Sequence, residues 1–274
     1  MDAFAHCADV VRAHDRDRYV ADLFAPQPAR RHLLALHAFN AEVGRIRDIV
    51  SDPMLGEIRL QWWRDALAGD AGGHPVATAL KETAATFSLP VAALERLLDA
   101  RAFDLYDDQM PGLRDLEGYA GDTASALIQL GAIVLAGGRD PGCAEAAGHA
   151  GVAQTITGVM RAFGVHAARG QCYLPADLAA SHGFDRASLA TRAATPALRS
   201  LLAELGAIAR WHLSEAIHEI AALDPAVKPA FLPIAILGPM LDRMERTDHD
   251  PFSRRAEVSM WRRQWIVWRA ARRM

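Results

Sequence analysis

Arg161-Ala-Phe-Gly-Val-His-Ala-Ala-Arg-Gly-Gln-Cys-Tyr-Leu-Pro175 decides how this chain is read. The segment closes a predicted helix running from Pro141 to about Ala168, and Leu174-Pro175 ends it in a turn. Positions 162 and 166 lie four apart, about 40° around a helix at roughly 100° per residue, so both face the same side. They hold Ala162 and His166. An alanine offers no ligand, and an imidazole is a poor ligand for a hard cation that prefers oxygen.

Outward from that segment the composition is helical. Ala and Leu dominate a chain that is 51% hydrophobic and only 7% aromatic, and β-branched alternation is scarce. An all-α fold is the economical reading. A length of 274 residues is near the upper limit for one core, and the sequence has no evident linker, so one domain over 1–274 is expected. The formal charge of −3 argues against a general nucleic-acid binder, which needs a basic face. Cys7, Cys143 and Cys172 are odd in number and far apart, as suits a reducing compartment. The start, with Asp2, Asp9, Asp15 and Asp17, reads as neither a secretory signal nor an acid-poor presequence. No run of about 18 apolar residues would span a membrane. The expected location is cytoplasmic, peripheral at the inner membrane face.

Prolines and glycines punctuate the helices. The first long one runs from Pro28 or Ala29 to about Ser51 and is broken by Asp52-Pro53. Others run from about Met54 to Leu67, from Pro75 through Phe87, from Pro90 past Arg101, and from Leu116 to about Leu135. Beyond the organising segment come a short helix capped by Asp185, a long one from Pro196 to about Leu223, and one from Ala230 to Glu245 kinked near Pro233 and Pro239. The tail, 254–274, reads as a basic amphipathic helix. It sets Trp261, Trp265 and Trp268 at i, i+4 and i+7 among Arg262, Arg263, Arg269, Arg272 and Arg273. Such a helix lies on an anionic membrane or a partner, or else packs its tryptophans on the core. There is no HExxH, GxSxG, P-loop or GxGxxG after a strand.

The organising segment resembles the second aspartate-rich motif of the squalene/phytoene synthase family, in which Gln, then Arg-Asp-x-x-x-Asp, runs into Arg-Gly-Arg-x-Tyr-Leu-Pro. Gln154, Arg161, Arg169, Gly170, Tyr173, Leu174 and Pro175 match, while Ala162 and His166 replace the two aspartates. Leu36-His-Ala-Phe-Asn-Ala-Glu-Val-Gly-Arg-Ile-Arg-Asp-Ile-Val-Ser-Asp52 resembles the first motif, with Arg47 and Ser51 at the outer aspartate positions and Asp48 in place. Asp48 and Asp52 form a DxxxD pair shifted by one residue, which turns it about 100° around the helix. They are weak catalytic candidates, or else solvated or capping residues. Arg59-Leu-Gln-Trp-Trp-Arg-Asp-Ala-Leu67, Leu116-Glu-Gly-Tyr119 and Thr123-Ala-Ser125 continue the match, which spans about 15–255. Asn40, Glu42, Asp48, Val50, Ser51, Arg161, Leu174 and Pro175 carry a narrower resemblance to the family's branch of complex I assembly factors.

The resemblance implies an isoprenoid-synthase-like helical bundle around a central cavity. It also implies assembly work on a respiratory-complex subunit rather than prenyl transfer. A prenyl synthase stabilises a departing diphosphate with metals held by two facing acidic motifs. With four expected carboxylates replaced, no metal or cofactor is expected, and magnesium is expected only if the chain is an active head-to-head transferase of farnesyl or geranylgeranyl diphosphate. That competing reading would use Asp48 and Asp52 with Asp104, Asp107 or Asp108. The expected pocket, Arg45, Arg47, Gln154, Arg161, His166, Arg169 and Tyr173, suits an isoprenoid or lipid phosphate, since guanidinium forks match phosphate oxygens. Alternatively those arginines pair with Glu42, Asp48 or Asp65 and hold helices together.

Overall fold

The computed structural model describes residues 2–69, 71–253 and 258–273. Among them no strand forms, and one isolated parallel bridge joins Gln109 to Cys172. Helices α1 (Ala3–His14) and α2 (Arg16–Asp22) precede α3 (Gln27–Gly44), the short α4 (Ile46–Ile49), α5 (Pro53–Ala68), α6 (Pro75–Phe87) and α7 (Val91–Ala102). Then come α8 (Leu113–Ala120), α9 (Ala126–Leu135), α10 (Ala144–Ala168), α11 (Ala176–Ser181), α12 (Pro196–Ala222), α13 (Leu237–Met244) and α14 (Met260–Ala271). The all-α expectation is met.

Helix boundaries follow the local chemistry. Asp52 and Thr195 cap α5 and α12 through side-chain oxygens, each with proline in the first turn. Asp185 caps a 3₁₀ turn (Arg186–Thr191) where a short helix was predicted. Three other predicted helices come out differently. The first long helix breaks at Arg45 (φ −99°, ψ −1°), whose N–H is shared by the carbonyls of Glu42 and Val43. The helix from Leu116 to Leu135 begins at Leu113 and widens into a π turn over Gly121–Ser125. There Thr123 Oγ1 donates to the Tyr119 carbonyl at 2.6 Å. The helix around Pro233 is a 3₁₀ stretch (Lys228–Ile236) that passes into α13, because proline removes a donor and crowds the preceding turn. Helices α1 and α2 carried no prediction.

Two apolar clusters build the interior. One collects α1, α3, α5, α6 and α7 around Phe39, whose ring meets Trp63 edge-on at 5.0 Å. The other collects α10, α12, α13 and the Lys228–Ile236 stretch. Helix α9 gives Leu127 and Leu130 to the first and Ile128 and Ala132 to the second. Helix α10 approaches the π turn so closely that a Cβ on Gly151 would stand 2.1 Å from Ser125 Oγ and 2.4 Å from its backbone nitrogen. This contact fixes the wall of the cavity described next.

Candidate functional site

Residues from both sides of the bundle line a central cavity of about 370 Å³. Helix α10 supplies one wall. Gln154, Gly158, Ala162 and His166 recur every four residues and so form one slowly drifting row, with Arg161 and Arg169 beside it. At the end of α10, Gly170 takes φ +76°, and Gln171 N–H returns to the His166 carbonyl at 3.0 Å. This left-handed close turns the chain back, so that Gln171 and Tyr173 re-enter the cavity. Asn40, Arg47 and Asp48 from α3 and α4, and Tyr119 from α8, face them.

The floor is a buried carboxylate. Asp104 is 8% exposed and lies just after α7. It accepts from Tyr173 Oη at 2.7 Å, from Tyr119 Oη at 3.0 Å, and from Arg101 at 3.0 Å. Arg101 also donates to Tyr119 Oη at 2.6 Å and to Asn40 Oδ1 at 3.3 Å. Burial and the Asp104 charge push both phenols above their ordinary range, so they stay protonated and donate. Every oxygen of this carboxylate is therefore committed to the protein.

The second carboxylate is engaged through one oxygen. Asp48 is paired with Arg169 across the mouth of the cavity. Arg47 reaches Asp107 at 3.2 Å, yet its Nε is buried without a hydrogen-bond partner among the described residues. Arg101 Nε and His166 Nδ1 share that condition. Burial holds the His166 imidazolium form down, and the ring lies 4.7 Å from that of Tyr173. Arg161 makes no hydrogen bond or ion pair among the described residues. Its charge reaches Asp17, in a neighbouring polar depression that it also lines. Arg18, held by Asp15 at 2.6 Å, donates to Gln154 at 3.3 Å.

The structure thus brings together Arg47, Asp48, Gln154, Arg161, His166, Arg169 and Tyr173. It does not bring Arg45 to them. Arg45 lines a separate surface groove, because residues two apart on a helix point about 200° apart and the chain breaks between them. Asp52 faces solvent and caps α5 by accepting from Met54 N–H at 2.7 Å. Trp261, Trp265 and Trp268 stand 83%, 53% and 45% exposed, with Arg262 and Arg269, while Val267 on the opposite face of α14 is buried. The tryptophans therefore do not pack on the core. The part of the predicted tail at 254–257 and 274 lies outside the described residues. Arg18 and Arg101 also line the cavity, although nothing in their helical spacing distinguishes a cavity arginine from a solvated one.

The family model described as squalene/phytoene synthase matches residues 11–262. The chain belongs to the squalene/phytoene synthase family. Among curated relatives of this chain is the rat (Rattus norvegicus) protein named NADH dehydrogenase (ubiquinone) complex I, assembly factor 6. It is 31% identical over 255 residues, covering 92% of this chain and 76% of the relative. The phytoene synthase of Arthrospira platensis is 24% identical, covering 97% and 91%. In structure, a dehydrosqualene synthase crystallised with ligand superposes with a TM-score of 0.86 at 19% identity, covering 99% of this chain and 95% of that one.

Proposed function

We propose that this squalene/phytoene synthase family chain is a catalytically degenerate member that serves in assembling respiratory complex I. We further propose that its cavity holds the phosphate of an isoprenoid or lipid directly, without a metal ion. The observation that carries this reading is the engagement of both cavity carboxylates, Asp48 by Arg169 and Asp104 by Arg101 and two phenols. A magnesium cluster needs several free carboxylate oxygens, and at 162 and 166 the wall offers Ala and His. Among the described residues no three of His, Cys, Asp and Glu gather as a metal site. The donor set does not suit magnesium. It suits an anion, because Arg161 lines the cavity with no hydrogen bond or ion pair among the described residues, and Arg18, Arg47, Arg101 and Arg169 line it too. The relatives named as assembly factors support the cellular role.

The same reading places the chain at the inner face of a membrane. No described helix is long and apolar enough to cross one. Helix α14 supports contact with a surface instead, since it carries no acidic residue and exposes tryptophans with Arg269 and Arg272 stacked over two of them at 5.3 and 5.0 Å.

Deleting the gene and quantifying assembled complex I tests the role. The wild-type chain should restore assembly, and a chain with Arg161→Glu and Arg169→Glu should not. Unchanged complex I after deletion would remove the assembly reading, and condensed hydrocarbon formed from farnesyl diphosphate and magnesium would remove the degenerate one.

A further inference from the structure

Helix α5 is apolar on two sides. Gly56, Leu60, Trp63 and Ala66 turn inward. Met54, Ile58 and Trp62, four apart and so in one row, stand in solvent, with Met54 71% and Ile58 59% exposed. Leu55 and Ile49 beside them are exposed as well. Ile58 and Trp62 of this row line two adjoining depressions that share part of their walls. One, of about 510 Å³, has Ile46, Ile49, Trp62 and Trp63 in its walls with Arg45 and Arg59. The other, of about 430 Å³, adds Val50, Leu55 and Ile58 and shares Ile49, Arg59 and Trp62.

The charges in this groove are asymmetric. Arg45 and Arg59 form no side-chain hydrogen bond or ion pair among the described residues. The acid present, Glu42, faces His74, whose Nε2 lies 3.6 Å from Glu42 Oε2. His74 Nδ1 accepts the Ala77 N–H at 3.5 Å, so the neutral ring carries its proton on Nε2, toward the carboxyl. Arg59, and Arg45 whose charge also acts on Glu42, stand without an ion pair beside an apolar trough and call for an occupant with an anionic end and an apolar length.

Size selects the kind of occupant. The volumes fall within the ~300–1,000 Å³ of small-molecule sites. The apolar row from residue 54 to 62 is about 12 Å long at 1.5 Å per residue, and on a helix about 10 Å across it covers on the order of 120 Å², well short of the roughly 800 Å² per partner of a stable protein interface. We propose that the groove between α4 and α5 is a second binding site, for a single-chain anionic amphiphile, with its headgroup between Arg45 and Arg59 and its alkyl chain along Ile49, Leu55, Ile58 and Trp62. None of these residues lines the central cavity, so this site stands or falls independently of the phosphate pocket above.

The test is titration of the full chain with dodecyl phosphate, dodecanoate and dodecanol below their micellar concentrations, read by calorimetry and tryptophan fluorescence. Saturable binding of at least one of the two anions is expected, with dodecanol weaker by about tenfold or more. In the component of binding that the groove substitutions below remove, a preference for the phosphate indicates a lipid phosphate as the natural occupant, and a preference for the carboxylate a free fatty acid. Ile58→Asp and Arg59→Glu should each weaken binding by about tenfold. Ile217→Asp, at an exposed apolar residue on α12, should leave it unchanged. Failure of both anions to saturate would overturn the proposal and leave the face to a protein partner. Equal binding of dodecanol, or indifference to both groove substitutions, would overturn it too.

Discussion

Arg169 grips Asp48 across the cavity mouth, joining residues 121 positions apart in sequence. Both side chains are 45% exposed, so the pair contributes little to stability, of order 0–1 kcal/mol. Its effect is on chemistry, because the carboxylate occupies a guanidinium that an anion would otherwise use. Asp48→Ala should therefore strengthen binding of inorganic pyrophosphate several-fold, with the unfolding midpoint nearly unchanged. Calorimetric titration checks this. A metal-holding Asp48 predicts the opposite, loss of binding on the same substitution.

Asp104 is the structural counterpart. Asp104→Asn leaves the Arg101 guanidinium buried without its counter-charge and should cost about 3–5 kcal/mol in urea unfolding. Tyr173→Phe removes one donor of three and should cost about 0.5–1.5 kcal/mol. A fall of less than about 1 kcal/mol for Asp104→Asn would mean that the network does not anchor the floor.

These two aspartates show what could be read from the chain alone. The family pattern pointed to Asp48, and the shared face of Gln154, Ala162 and His166 was legible because α10 is regular and glycine-terminated at Gly170. Asp104 was one of three acidic residues before Met110, and spacing cannot say that Tyr119 and Tyr173, from distant segments, converge on it. Arg45 was grouped with Arg47 by motif, although two positions on a helix face opposite ways. The helix break at Arg45 and the π turn at Gly121–Ser125 depend on tertiary packing, the latter on the close contact of Gly151 with Ser125. The exposed row on α5 is masked in the sequence because Trp62 and Trp63 adjoin but face solvent and core respectively.

Glu42 gives a pH signature. Burial pushes its carboxyl from 4.5 to about 7, so the folded chain keeps the proton over a range in which the unfolded chain has lost it. A raised acid binds more protons when folded, so stability falls as pH rises from about 4.5 to about 7 and stays lower above that. Partial exposure screens the effect to order 1–2 kcal/mol. Glu42→Gln should gain about that much at pH 8 and little at pH 4 in denaturant unfolding. Equal effects at the two values would contradict the shift.

Helix α14 separates surface contact from folding. Trp261→Ser with Trp265→Ser should abolish most co-sedimentation with vesicles containing anionic lipid, leaving the thermal midpoint within about 2 °C because both rings are exposed. Val267→Asp should lower the midpoint instead, since that side chain is 1% exposed. Vesicle binding that survives loss of both tryptophans would shift the membrane contact elsewhere.

The central claim is that the cavity takes phosphate on arginine and not on magnesium, and calorimetric titration of the purified chain with farnesyl diphosphate, in EDTA and again in excess magnesium, tests it most directly. Equal affinity in both buffers, lost in Arg161→Ala, is the predicted result. Binding that appears only with magnesium would contradict it.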